Sequence, residues 1–260
     1  MAGRRPGQRR CEAPTVRCKE RVHTFRMSFE AEPAVPPDKQ TLRRQLRTKR
    51  RSLAPHRNTS TNGIAIAAAA SALLDTLSLF PLSIAEHVSH PGQPCVAIYR
   101  SLPIEPPTVA LAEMLHTRNV RVIVPEMLPD FDLEWRELRA DGSEGPRLGL
   151  EGIAAADVIL APALAVDHTG TRLGQGGGCY DRALTRRRPD AVIVAIINDE
   201  EYVGTPLPHD PHDVHVEAVI TPGSGFSQIP DPDQLPDESR TKVRASPPAS
   251  RNAFSERDHG

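Results

Sequence analysis

Residues 172–181 carry the clearest chemistry in the chain: Arg172, Leu173, Gly174, Gln175, Gly176, Gly177, Gly178, Cys179, Tyr180 and Asp181. The glycines remove side chains, so successive backbone N–H groups can approach an anion closely. The run is expected to open a helix over 180–188, whose N-terminus would add to anion binding. Arg172 adds a planar donor suited to phosphate or carboxylate. An ordinary glycine-rich turn is the simpler alternative. The loop is not a Walker A motif, because no Lys-Ser/Thr follows the glycines. It is not the dinucleotide fingerprint either: counting from Gly174 and Gly176, the third glycine position holds Cys179.

Three other segments could do chemistry. Lys39 and Arg43 are four residues apart and so share one face of a helix, within a stretch (39–57) holding eight Lys/Arg and no acid. Two cations on one face suit polyphosphate; a solvated basic face or a nucleic-acid patch fits the spacing as well. Glu105 lies in Tyr99-Arg-Ser-Leu-Pro-Ile-Glu105-Pro-Pro-Thr108, directly after an expected strand. Its carboxylate could accept from a ring N–H or an amino group, or simply face water. Pro208-His-Asp-Pro-His-Asp213-Val-His-Val-Glu217 offers imidazoles for zinc and carboxylates for Mg²⁺, or a polar loop entering a last strand.

The elements that must position these segments alternate in type. Asp38 can cap a helix from Lys39, with Leu42, Leu46 and Leu53 on one stripe. A second helix is expected over 59–79 and a third over 107–118. Strands are expected at 95–99, 120–124, 157–161, 191–197 and 217–221, with an edge strand at 133–138. The apolar, β-branched runs 157–161 and 191–197 read as central parallel strands. The fold class is therefore α/β: one domain over 37–222 with a mainly parallel sheet flanked by helices. Residues 1–36 are expected to be a disordered, Arg-rich N-terminal extension, or in part an over-extended start with Met27 as initiator. Residues 223–260 are expected to be a disordered tail.

Composition narrows the partners. The formal net charge is -1, which gives no global attraction to nucleic acid or an anionic membrane. No apolar run reaches the roughly 18 residues that span a bilayer. The four cysteines, Cys11, Cys18, Cys95 and Cys179, show no zinc-ligand spacing. Reduced thiols in a cytoplasmic protein follow as the expectation, with no nucleic-acid or membrane partner and a monomeric state.

Taken in order, Lys39-x-x-Leu-Arg43, Tyr99 to Glu105-x-x-Thr108, the 172–181 loop and His212-Asp213-Val-x-Val resemble the 5-formyltetrahydrofolate cyclo-ligase family, also called methenyltetrahydrofolate synthetases. The resemblance implies conversion of 5-formyltetrahydrofolate to 5,10-methenyltetrahydrofolate, with ATP as co-substrate and Mg²⁺ as cofactor. It implies that Lys39 and Arg43 hold ATP phosphates and that residues 172–180 cradle the nucleotide. Asp181 and Asp213 would sit at Mg²⁺, Glu105 would fix the pterin, and Tyr180 and Arg172 would stand at the reacting groups. A paralogue that binds nucleotide or folate without turnover is the alternative. Three departures accompany the resemblance: no Glu-Pro after a Gly-x-x in 139–149, Cys179 in place of an aromatic residue, and Glu217 where Asp is common.

Overall fold

The computed structural model describes residues 38–79 and 93–230. The expected N-terminal extension and the tail beyond residue 230 lie outside the described residues.

The chain opens with two helices. Helix α1 (Lys39–Leu53) begins at Asp38, whose carboxylate accepts from the N–H groups of Gln40 and Thr41. Its buried side chain is Arg50 rather than a leucine, while Leu42 and Leu46 pack half-buried against Leu173 and Leu207. The expected apolar stripe through Leu53 is thus only part of what seats this helix. Helix α2 (Thr59–Leu79) buries Ile66, Ala70, Leu73 and Leu77 against the sheet. No described helix is long and apolar enough to cross a membrane.

Next come β1 (Cys95–Ile98), α3 (Val109–Thr117), β2 (Arg121–Met127), β3 (Leu133–Leu138), β4 (Glu144–Gly149) and β5 (Val158–Pro162). They are followed by β6 (Ala165–Asp167), β7 (Arg172–Leu173), α4 (Cys179–Leu184), β8 (Val192–Ile196), β9 (Tyr202–Val203), β10 (Ala218–Thr221) and β11 (Gly225–Gln228). The large sheet has the order β11-β10-β8-β5-β1-β2-β3-β4. Its middle five strands, β10 to β2, are parallel, and an antiparallel strand or hairpin finishes each side. A smaller sheet, β7-β6-β9, carries the chain into the glycine loop.

Alternate residues of the central strands feed two cores. Val96, Ile98, Val158, Leu160, Val194 and Ile196 face α2 and α3, while Ala97, Ile159, Ile193 and Ala195 face α4 and Trp135 on the other side. This two-sided burial is why those strands are apolar throughout rather than alternating.

Three expectations need correction. β3 is not an edge strand, because β4 pairs with it outside, with irregular register through Gly145-Pro146. The helix expected over 180–188 stops at Leu184, and Thr185, Arg186 and Arg187 continue in tighter turns to residues three back. Pro189 disfavours the α conformation at Arg188, where these turns end. Ordered chain also runs past residue 222, since β11 adds an antiparallel strand along β10.

Candidate active site

In chain order the parallel strands begin β1, β2, β5, yet β1 lies between β2 and β5 in the sheet. Connections therefore leave β1 in one direction and enter β5 in the other, opening a crevice beyond their carboxyl ends. A cavity of about 330 Å³ occupies that crevice. Tyr99 after β1, Pro125 and Met127 of β2, and Pro162 and Ala163 at the end of β5 line it. Its volume falls at the small end of the range for small-molecule sites.

The sequence-nominated residues converge here. Lys39, Arg43, Glu105, Arg172, Leu173, Gly174, Gln175, Gly176, Gly177, Gly178, Cys179, Tyr180, Asp181 and Asp213 all line this one cavity. The glycine loop owes its path to backbone freedom at two points. Gly176 has φ 105° and Gly178 φ 68°, a region that side chains rarely adopt. Because α4 has only six residues, its dipole adds little; the loop's own N–H groups and the surrounding cations make the site anion-receptive.

Helix α1 lies against this loop through its cations. Arg43 Nε donates to Gly174 O at 3.1 Å and Arg47 Nη1 to Gln175 O at 3.3 Å. Lys39 Nζ sits 2.6 Å from Asp210 and 2.5 Å from Asp213. Burial opposes ionisation of Asp213, but the Lys39 ammonium and the Asp210 N–H hold its carboxyl below the usual range. At least four of the eight cations in 39–57 therefore meet protein acceptors: Lys39, Arg43, Arg47 and Arg50.

Arg172 is nearly enclosed, with 3% of its side chain exposed, and pairs with Asp181. Its guanidinium carbon also lies 5.9 Å from the centre of the Tyr180 ring, within cation–π range. Arg172 Nε and the Tyr180 hydroxyl are buried polar atoms with no protein partner. Such groups are rare and costly unless a ligand or water completes them. Burial pushes the Tyr180 phenol well up; Arg172 opposes that and the nearby Glu105 charge adds to it. Glu105 sits in a closed turn, accepting from Leu102 N at 3.0 Å.

The two carboxylates expected at Mg²⁺ have different surroundings. Asp181 pairs with Arg172, whereas Asp213 lies with Asp210 and His212, whose ligand atoms are within 4.8 Å of one another. The oxygens of Asp210 and Asp213 suit a hard cation, and the Lys39 ammonium already stands between them. Sequence reasoning did not single out Asp210, Met127, Leu133 or Ala163. Only strand order brings the last three to the cavity, and no local signal in the chain encodes it.

Residues 35–222 match the family described as the 5-formyltetrahydrofolate cyclo-ligase family. The chain is 36% identical over 146 residues to a 5-formyltetrahydrofolate cyclo-ligase of Mycolicibacterium smegmatis, covering 50% of this chain and 75% of that protein. It is 29% identical over 144 residues to the Escherichia coli K12 protein of the same name, covering 49% and 77%. Among solved structures, it resembles a 5,10-methenyltetrahydrofolate synthetase of Aquifex aeolicus, with TM-score 0.53 and 22% identity over 76% of this chain and 96% of that one. The corresponding protein of Mycoplasma pneumoniae gives TM-score 0.51 and 20% identity over 70% and 98%. At those identities the two structures establish the shared fold.

Proposed function

Because the chain belongs to the 5-formyltetrahydrofolate cyclo-ligase family, we infer that it uses ATP to convert 5-formyltetrahydrofolate to 5,10-methenyltetrahydrofolate, releasing ADP and phosphate. One observation carries the assignment of the site: Lys39, Arg43, the glycine loop, Arg172, Tyr180 and Glu105 all wall a single cavity at the strand switch point.

The γ-phosphoryl group of ATP passes to the formyl oxygen on N5, and ADP departs. N10 then attacks the activated carbon and loses its proton. The C–O bond breaks, its electron pair leaves with phosphate, and the positive charge spreads over N5, the carbon and N10. Phosphoryl transfer of this kind needs positioning and charge compensation rather than a protein nucleophile. Lys39, Arg43 and the N–H groups of residues 174–178 bind the phosphates. Arg172, held by Asp181, meets the charge that develops on the transferred group. Tyr180 places its unpartnered hydroxyl in the same buried space, where it can donate to an oxygen of the reacting group. Glu105 accepts from the N–H groups of the pterin.

Mg²⁺ would be held by Asp213 with Asp210, and by Asp181, and would neutralise phosphate oxygens. The residues fit it provided that ATP draws Lys39 away from the two acids.

The test is purified protein with ATP, Mg²⁺ and 5-formyltetrahydrofolate, followed by the methenyl chromophore. A rate equal to buffer, with ATP binding intact, would instead establish a binding paralogue, for which Cys179 in the loop would be the first residue to revert.

A further inference from the structure

Arg50 has no atom in the cavity, yet it is the most deeply buried charged side chain of α1, with 1% of its side chain exposed. Its Nε donates to Glu201 Oε1 at 2.7 Å and its Nη2 to Glu201 Oε2 at 2.6 Å, a bidentate pair. The same Nη2 donates to Ala163 O at 2.5 Å. Glu201 is itself fixed, accepting from Asn198 N at 2.8 Å and Asn198 Nδ2 at 3.0 Å just beyond β8. One guanidinium thus joins α1 to the carboxyl ends of β5 and β8.

The connection reaches the phosphate-binding groups by two routes. Ala163 lines the cavity, and the next residue, Leu164, donates its N–H to Leu173 O at 2.8 Å, at the base of the glycine loop. One residue further on, Gly174 O receives Arg43. Along the helix, Lys39 and Arg50 are eleven residues apart, so they lie about 20° apart in projection and about 16 Å along the axis. Rotation or tilt of α1 at Arg50 therefore moves Lys39 and Arg43 together. A tilt of roughly 4° at that distance displaces the far end by about 1 Å, enough to cost on the order of a hundredfold where geometry decides the rate.

We propose that Arg50 is a positioning residue for ATP: its clamp on Glu201 and Ala163 fixes the angle of α1 and the base of the glycine loop, and so sets the affinity of the Lys39/Arg43 site for nucleotide. A buried ion pair contributes little net stability compared with apolar packing, so the geometry it imposes is its larger effect. The inference rests on the ATP-site assignment above.

The test compares Arg50→Lys and Arg50→Met with Arg57→Ala. That control removes the neighbouring Arg57–Glu200 pair, a 4.0 Å contact with Glu201 and a bond to the Arg50 carbonyl, but leaves the Arg50 guanidinium its own partners on Glu201 and Ala163. Equilibrium binding of ATP and of 5-formyltetrahydrofolate is measured calorimetrically, together with Tm and the KM for each substrate. Lysine keeps the charge but not the planar fork, so Arg50→Lys stays informative should the methionine variant fail to fold. Both Arg50 variants should weaken ATP at least tenfold and the folate less than threefold, with Arg57→Ala lowering Tm while ATP affinity holds. Unchanged ATP affinity in a folded Arg50 variant, equal losses for both substrates, or an equal loss in Arg57→Ala would each overturn the proposal. If the unmodified protein binds ATP without turning over, the functional reading fails and the binding data still decide this one; if it binds no ATP, both fail.

Discussion

The ammonium of Lys39 lies 2.5 Å from a carboxylate oxygen of Asp213, a residue 174 positions away. The contact ties the first helix of the domain to the loop that leads into its last parallel strand, and it pairs the cation proposed to bind phosphate with an acid proposed to hold Mg²⁺. On the proposed site, Lys39 and a divalent ion would compete for the same oxygens until ATP supplied Lys39 with others.

Replacing Lys39 with Met keeps the stem and removes the charge. ATP affinity should fall about tenfold or more, the scale of a lost charge-assisted hydrogen bond. Mn²⁺ affinity in the absence of ATP should rise, because Asp210 and Asp213 then lack their cation. Calorimetric titration of each ligand checks both halves. A drop in ATP affinity with no gain for Mn²⁺ would remove the competition while leaving the phosphate contact.

Arg172 combines near-complete burial, the Asp181 pair and an unpartnered Nε. Arg172→Ala should lower kcat/KM on the order of a hundredfold or more, the usual scale for losing a preorganised charge donor. Arg172→Lys should restore little, since an ammonium cannot reach Asp181 and a phosphate in one plane. Far-UV circular dichroism separates this loss from unfolding. Wild-type turnover in a folded alanine variant would show the loop to be an ordinary turn.

The loop and its flanking cations were legible in the sequence because they are local: glycines, an arginine and an i, i+4 pair need only a few residues to be recognised. The central strands were legible because two-sided burial leaves an unbroken apolar run. What escaped is long-range or locally contradictory. Arg50 meets Glu201 across 151 positions, so its burial is invisible within a basic helix where solvation is the ordinary outcome. β4 contains Gly145, Pro146 and Gly149, which argue against a strand, and without it β3 reads as an edge. Asp210 belongs to the His-Asp run 208–217, but only the fold shows that it shares Lys39 with Asp213.

The Tyr180 hydroxyl is buried with no protein partner, so the folded chain gains nothing from it before substrate binds. Tyr180→Phe should leave stability unchanged or raise it by up to about 1 kcal/mol, because an unsatisfied polar group is removed. kcat should fall by about tenfold if the hydroxyl bonds the reacting group, the scale of one neutral hydrogen bond. Thermal unfolding and steady-state kinetics on the same preparation test the pair of outcomes. A fall in Tm with unchanged kcat would assign the hydroxyl a structural partner instead.

Glu217 gives a pH signature away from the cavity lined by the glycine loop. It borders a groove formed with Leu73, Leu77, His215 and Phe226 but stays solvent-exposed; partial desolvation raises its carboxyl above the usual 4.5, opposed by the Ile193 N–H and the Arg187 charge. Below pH 4.5 both folded and unfolded chains hold the proton, and the group costs nothing. As pH rises past 4.5, the unfolded chain releases its proton first, so stability falls until the folded-state pKa is passed and is constant above it. Glu217→Gln keeps an acceptor for Ile193 and removes the charge. Its Tm should exceed that of the unmodified protein at pH 7.5 by a small margin, because solvent screens the exposed carboxylate, and equal it at pH 4, as measured by scanning calorimetry. The same difference at both pH values would trace the effect to packing rather than to ionisation.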